Sequence, residues 1–119
     1  MANFNTGTID YDNLVLSSLT PIVETRILAT GESVKRGQVL KLDTGKMVAF
    51  DEYDSAADAN AIAAEDAEAV GGDSFVSCYV FGAFNAGVVE DASALTLDLA
   101  TIEALRARGV YAVRTVAVV

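Results

Sequence analysis

Short β-prone stretches separated by glycine turns run through most of the chain, and this pattern limits it to a fold built from short strands. Val23, Thr25 and Ile27 alternate with Glu24 and Arg26, which is typical of a half-buried strand. Turn signals follow at positions 31, 37, 43–45 and 71–73, with the extended stretches VLKLD and KMVAF between them. The sequence therefore predicts a small, compact, β-rich α+β domain.

SFVSCYVFGAF, at positions 74–84, is the most strand-like stretch of the chain. Its apolar residues occupy both faces, which predicts a central strand that is covered on both sides. Alternation places Cys78 on one face with Val76 and Val80. Because Cys78 is the single cysteine, the chain can form no internal disulfide, and we expect this thiol to be buried.

Positions 55–69 carry conflicting signals. Their alanines and glutamates favour a helix by intrinsic propensity. The large apolar residues in and beside this segment are Ile62 and Val70, too few for the buried stripe of a helix. We predict a loop up to about Asn60 and then a strand of small residues over 61–64.

DLATIEALRARG carries the clearest helix signals, and we predict one C-terminal helix over about 98–108. Asp98 can cap its N-terminus, and Leu99, Ile102 and Leu105 form the expected buried stripe. Gly109 suits the position just beyond the C-terminus. The following residues, VYAVRTVAVV, predict a terminal strand.

The first thirteen residues, MANFNTGTIDYDN, are too polar to bury much surface and predict a flexible N-terminal arm. The rest of the chain, 14–119, is expected to form a single domain, since its length suits one modest core. Thr6, Thr8, Ile9 and Tyr11 favour extended backbone, so this arm could become a strand beside a suitable template.

Composition and charge restrict the partners of the chain. Apolar residues make up 52% of it and its mean hydropathy is +0.36, so we expect it to bury surface against copies of itself or against a partner. Its net charge of −9 argues against nucleic acid. Between Lys46 and Arg106 there are twelve carboxylates and no basic residue, which forms either a solvated acidic face or a face for a basic partner. We expect no signal peptide and no membrane contact, because the apolar-rich run at 75–89 is too short to span a bilayer.

The residue types needed for catalysis are missing or wrongly spaced. The chain has no histidine, which excludes histidine-based triads and removes the commonest general base. DEYDSAAD, at 51–58, lacks the glycine and the ligand spacing of a calcium loop. GAFNAG, at 82–87, has the glycine spacing of a phosphate loop, but Val88 stands where the lysine belongs. We therefore expect no enzymatic activity, no metal and no cofactor.

One alternative involves a cofactor. TGESVKRGQVLKLDTGKM, at 30–47, has features of biotinyl and lipoyl carrier domains, in which a lysine like Lys46 is modified on a hairpin. The triplet Gly45-Lys46-Met47 differs from the usual carrier triplets, and no second symmetrical half follows. The simpler interpretation is a solvated turn lysine, and the carrier domain stays open as the alternative.

Four motifs follow one another in a recognisable order. They are a glycine hairpin ending in Gln-Val-Leu, an Ile-Ala-Ala-Glu-Asp strand, a strand entering Gly-Ala-Phe-Asn, and Leu-Arg-Ala-Arg-Gly-Val, at positions 31–40, 62–66, 82–85 and 105–110. In this order the chain resembles the head decoration proteins of tailed bacteriophages, the lambda-like capsid-stabilising family. The resemblance covers roughly residues 14–119.

The resemblance implies a structural protein of the virion. Members of this family form homotrimers on the exterior of the expanded head, at threefold and quasi-threefold sites between subunits of the major capsid protein. They are added after expansion in the host cytoplasm and help the shell to withstand packaged DNA. Their N-terminal arms are disordered alone and pair with capsid elements on binding. By position, the candidate capsid-binding residues here are Asn3, Phe4, Thr6, Thr8, Ile9 and Tyr11.

Overall fold

The computed structural model describes residues 13–114. Within this range the chain forms nine strands, one α-helix and a single turn of 3-10 helix at Ala56–Asp58. The strands are β1 (Val15–Leu16), β2 (Ile22–Leu28), β3 (Ser33–Val34), β4 (Val39–Asp43), β5 (Lys46–Ala49), β6 (Ala59–Ala63), β7 (Ala67–Glu68), β8 (Ser74–Asn85) and β9 (Val110–Val113). The helix, α1, spans Leu99–Arg106. The predicted β-rich domain with one C-terminal helix is confirmed.

β8 is the centre of the fold because each half of it pairs with two strands. Its first half lies between β2 and β6, both antiparallel to it, so that Tyr79 is opposite Val23 on one edge and Ile62 on the other. Its second half lies between β1, which is antiparallel, and β9, which is parallel. The register between β2 and β8 shifts by one residue at Ile22 and Val23, which marks a β-bulge.

Five strands close into a small barrel. The ring runs from β8 through β2, β5, β4 and β6 back to β8, and β2 meets β5 through one parallel pair, Leu28 with Met47. One buried cluster contains side chains from all five strands and also includes Val34 and Ala69. Its strand residues are Leu28, Leu40, Met47, Ala61, Ala63, Val76 and Cys78. The alanines of β6 fit here because the interior of so small a barrel leaves room for few large side chains.

A second core lies between the barrel, α1 and β9. Tyr79 and Phe84 pack in it with their ring centroids 4.9 Å apart, and Ile102 and Leu105 of α1 are buried against them in the same cluster. Asp98 caps the helix by accepting a 2.9 Å hydrogen bond from the Thr101 amide, as the sequence predicted.

The helix is shorter and rotated relative to the expectation. Its regular part begins after Asp98 and ends at Arg106, with Ala107 as the C-terminal cap and Gly109 at a φ of 91°. Thr101 joins Ile102 and Leu105 in the buried stripe, whereas Leu99 is 63% exposed. The expectation that Leu99 is buried was wrong, because at 100° per residue it lies outside the face that these three share.

Positions 55–69 are resolved in favour of strand. The 3-10 turn leads directly into β6, so the predicted small-residue strand over 61–64 is confirmed with its start two residues earlier and its end one residue earlier. The glutamate- and alanine-rich part that follows contributes β7, which pairs with β3. The terminal strand is seen as β9, and the rest of that prediction, 115–119, lies outside the described residues. None of the helices in the described range has the length and apolarity to cross a membrane.

Candidate interaction surfaces

Lys46 begins β5 directly after a two-residue turn. Asp43 pairs with Lys46 across this turn, and Thr44 and Gly45 have φ values of 50° and 84°, the conformation for which tight hairpins use glycine. The Lys46 Nζ atom lies 2.7 Å from Asp73 Oδ2, and this bond is the main cause that lowers the pKa of the Asp73 carboxyl. The geometry of the hairpin thus explains the glycine at position 45. Measuring the intact mass of the native protein would show whether Lys46 carries a cofactor.

Cys78 lies in the barrel interior and is fully buried, as expected, with Val76 beside it in the same cluster. Burial raises the pKa of its thiol to about 11, and the Sγ atom donates to the Val76 carbonyl at 3.7 Å. The thiolate, which is the reactive form, is therefore disfavoured at neutral pH. Cys78 therefore contributes to the packing of the barrel interior.

Carboxylates of the acidic stretch line a cavity of about 220 Å³, and three of them already serve the local backbone or an ion pair. Asp54 bonds Lys41 at 2.6 Å, which lowers the pKa of Asp54 and raises that of Lys41. The buried Asp91 accepts from the amides of Ser93 and Leu95, and Asp98 caps α1. Among the described residues no group of three or more acidic or cysteine side chains is placed to hold a metal ion.

The Gly-Ala-Phe-Asn motif forms the end of β8. Gly82 has a φ of 136°, and a Cβ atom on it would lie 3.1 Å from the Pro21 Cα atom. Asn85 closes the turn after the strand, since its Oδ1 atom accepts a 2.9 Å hydrogen bond from the Gly87 amide. Both residues are therefore explained by chain geometry.

The predicted capsid-binding residues, Asn3, Phe4, Thr6, Thr8, Ile9 and Tyr11, lie outside the described residues. The body begins beside the end of β8, where the Asn85 amide donates to the Leu14 carbonyl at 2.9 Å and Val15 pairs with Phe84. β9 finishes at the same place on the other edge of β8, with Val113 opposite Asn85. Both undescribed segments therefore join the body at one end of the molecule.

One outward sheet surface is apolar and open. Val23, Thr25 and Ile27 of β2 lie opposite Tyr79, Ser77 and Phe75 of β8. Tyr79 is buried in the second core, and we call the open surface formed by the other five residues the outer β2–β8 face. Phe75 is 68% exposed, Val23 51% and Ile27 41%. None of these five side chains is charged.

This surface corrects two expectations. Val23 and Ile27 were predicted to be the buried side of a half-buried strand, and their exposure shows that this prediction was wrong. β8 is central, as predicted, and Tyr79, Ala83 and Phe84 are buried, but the exposed Phe75 shows that the predicted cover on both faces is wrong for the start of the strand. The opposite side of β2 turns to the barrel, where Leu28 is buried. Arg26, next along, donates to Asn60 Oδ1 at 2.6 Å and pairs with Glu24 at 2.8 Å. Hydrophobic alternation identifies two faces but does not say which one the rest of the chain covers.

The free edge of β2 adjoins this face. In the described part of the chain, β2 pairs with β8 along its length but meets β5 only at Leu28. The backbone from 22 to 27 thus has one edge without a strand neighbour there, beside the exposed Ile22 and Val23. Such an edge can accept an added strand.

No protein-family model matches the chain, and no curated protein is recognisably similar to it in sequence. The resemblance to head decoration proteins therefore depends on the four motifs and on their order.

Proposed function

We propose that the chain is a head decoration protein, which binds as a homotrimer to the exterior of an expanded phage head at threefold and quasi-threefold sites. There it cements subunits of the major capsid protein, and its N-terminal arm pairs with the shell. The observation that carries this proposal is the outer β2–β8 face, an uncharged apolar surface beside a free strand edge. Surfaces of this kind mark sites of protein association.

The motifs of the resemblance support the proposal because each has a structural role in this fold. The glycines at positions 31, 37, 82 and 109 all have positive φ, between 90° and 136°, a region that favours glycine. The Ile-Ala-Ala-Glu-Asp motif begins in β6, where its isoleucine faces the second core and its first alanine faces the barrel. A similar fold would need the same residue types at these places.

Charge supports association through the outer β2–β8 face. At a net charge of −9, copies of the chain repel one another, so subunit contacts are most favourable where charged side chains are absent. A closed ring of three uses one heterologous contact three times and matches a threefold site on a shell. The apolar face then forms one side of that contact.

Sedimentation equilibrium and shell binding test the proposal. The protein is expected to sediment as a trimer and to bind expanded, undecorated heads of the phage that encodes it, as measured by co-sedimentation. Phe75→Glu is expected to give monomers and to lose head binding, because it places a charge in the contact. Val70→Glu is the matched control, since Val70 is an exposed apolar residue in the turn before β8 and is not one of the residues of this face, and it should stay trimeric.

One further variant sharpens the outcome. Lys46→Ala should bind heads like the unmodified chain, because its ammonium group serves an ion pair at a hairpin. A monomeric wild-type protein that does not bind expanded heads would contradict the proposal. So would a Phe75→Glu protein that remains a trimer and still binds, because the outer β2–β8 face would then carry no contact.

A further inference from the structure

The free edge of β2 carries a pattern that is complementary to itself when two copies run antiparallel. From Val23 to Ile27 the sequence is Val-Glu-Thr-Arg-Ile, with Thr25 at its centre. An apolar residue lies two positions from this centre on each side, and an acid and a base lie one position from it. In the described part of the chain this stretch has β8 as its one strand neighbour, because β5 joins β2 only at Leu28.

The two charged side chains of this stretch are accessible from outside the chain. The side chain of Glu24 is 55% exposed and that of Arg26 is 27% exposed. The Arg26 Nε atom donates to Glu24 Oε1 at 2.8 Å, and its Nη1 atom donates to Asn60 Oδ1 at 2.6 Å. Among the described residues the Nη2 group has no hydrogen-bond partner, so it can bind a carboxylate of another molecule.

Charge selects one register for pairing between two copies of β2. A twofold axis perpendicular to the sheet keeps each side chain on its own side, so two registers pair five residues of this edge, centred on Glu24 and on Thr25. The first places the Glu24 carboxylate opposite its own copy, and like charges directly opposite each other are destabilising. The second places Glu24 opposite Arg26 of the second copy, and Val23 opposite Ile27, twice each. The register centred on Thr25 therefore satisfies both sides of the strand.

We propose that the chain binds a second copy of itself through the edge of β2, as an antiparallel strand pair centred on Thr25. The edge supplies the backbone hydrogen bonds, and the two pairs of Glu24 with Arg26 fix the register. Stable interfaces involve about 20–30 residues a side, so this five-residue contact is weak by itself and forms at high local concentration. It leaves the outer β2–β8 faces of both copies open, side by side. The inference goes beyond the proposed function and does not depend on it.

Disulfide trapping in the full chain tests the pairing. Opposed Cα atoms of an antiparallel pair are about 4.5–5.5 Å apart, within the range of about 4.4–6.8 Å that a disulfide bridges. Thr25→Cys, oxidised with glutathione disulfide, is therefore expected to give linked dimers on non-reducing electrophoresis. Ser77→Cys is the matched control, because Ser77 lies directly opposite Thr25 but one strand further from the axis, and it should stay unlinked. The native Cys78 is fully buried and contributes no link.

The outcome is separate from that of the proposed trimer. A heterologous threefold contact brings different residues together, so it does not place Thr25 beside its own copy. Thr25→Cys protein that stays unlinked would overturn the β2 pairing and leave the trimer untouched. Equal linking of Thr25→Cys and Ser77→Cys would also overturn it, because the link would then reflect random collision.

Charge exchange in the Thr25→Cys protein provides an independent measurement. Glu24→Lys alone and Arg26→Glu alone each place like charges opposite each other, so each is expected to lose the link. A mixture of the two variants restores both oppositely charged pairs and should give mixed dimers, identified by intact mass. Two folded variants that give no mixed dimer would overturn the proposal. Should Arg26→Glu fail to fold because Asn60 loses its partner, Glu24→Lys decides alone, and undiminished linking in it would overturn the proposal.

Discussion

At the scale of single residues, Gly82 is the position where the backbone tolerates least change. Its φ of 136° is strained for any other residue, and an added Cβ atom would lie 3.1 Å from both Pro21 Cα and Phe84 Cζ. We expect Gly82→Ala to lower the free energy of unfolding by roughly 2–4 kcal/mol. In Gly72→Ala the new Cβ atom meets no atom within 4 Å, and the change should stay within about 0.5 kcal/mol. Urea unfolding measures both, and equal midpoints would contradict the strain argument.

The helix cap at Asp98 makes the stability of the fold depend on pH. The hydrogen bond from the Thr101 amide holds the pKa of its carboxyl below the usual value. The cap therefore stabilises the fold above the unfolded pKa of about 3.9, and this contribution is lost as the pH falls through the lower folded pKa. Asp98→Ala should cost about 1 kcal/mol at pH 7. Asp98→Asn should keep most of the cap, because an amide oxygen also accepts this bond.

Unfolding curves at several pH values check the sign of this effect. The stability difference between the wild type and Asp98→Ala should shrink as the pH falls below about 3.9. Asp98→Asn should lose its small difference from the wild type over the same range, because its cap does not titrate. A difference between wild type and Asp98→Ala that stays constant down to acid pH would show that the carboxylate contributes nothing through its charge.

At the scale of elements, α1 offers two leucines in contrasting positions. Leu105 is completely buried in the second core, whereas Leu99 on the same helix is 63% exposed. Leu105→Ala should lower the free energy of unfolding by about 2–5 kcal/mol, because it leaves a cavity. Leu99→Ala should cost less than about 1 kcal/mol, since little apolar area returns to water. Denaturant unfolding compares the two, and similar losses would mean that a partner covers Leu99 in solution.

The elements also show which features of the fold local sequence can predict. The cap at Asp98, the strand around Ile62 and the buried Cys78 were all predicted, because each depends on neighbours along the chain or on simple alternation. The barrel was not predicted, since it closes through Leu28 with Met47 and through β6 with β8, which are pairings between distant segments. The prediction of which face of β2 is buried was wrong for the same reason, because the packing of the whole sheet decides which face the rest of the chain covers.

At the scale of the whole molecule, the sheet brings both undescribed segments to one end. β1 begins and β9 finishes on opposite edges of the last residues of β8. In a trimer on a shell, that end would present three arms together. The structure of the folded body tests neither the candidate arm residues nor the surface with which they would pair, because a segment that pairs with another protein need not contact the body of its own chain.

The arm prediction follows from the strength of one strand addition. Ordering a residue costs about 1–2 kcal/mol in backbone entropy, and strand pairing with a few anchors recovers this by a small margin. One arm anchored by Phe4, Ile9 or Tyr11 should therefore bind a shell weakly. Three arms on one trimer raise the effective concentration of the second and third to the millimolar range, which gives about 10²–10⁴-fold in avidity. Deleting residues 2–13 should thus leave a trimer with unchanged melting but far lower occupancy on expanded heads.

Substitutions within the arm refine this expectation. Phe4→Ala or Tyr11→Ala should weaken head binding partially, and because every trimer carries the change three times, the loss of binding free energy should be about three times that of one arm. Asn5→Ala is the control, since it alters the same arm without removing an apolar anchor. Quantitative co-sedimentation with expanded heads measures all four proteins, including the deletion. If the shortened trimer decorates heads as well as the full chain does, binding must come from the folded body, and the outer β2–β8 face and the free edge of β2 become the surfaces to test against the shell.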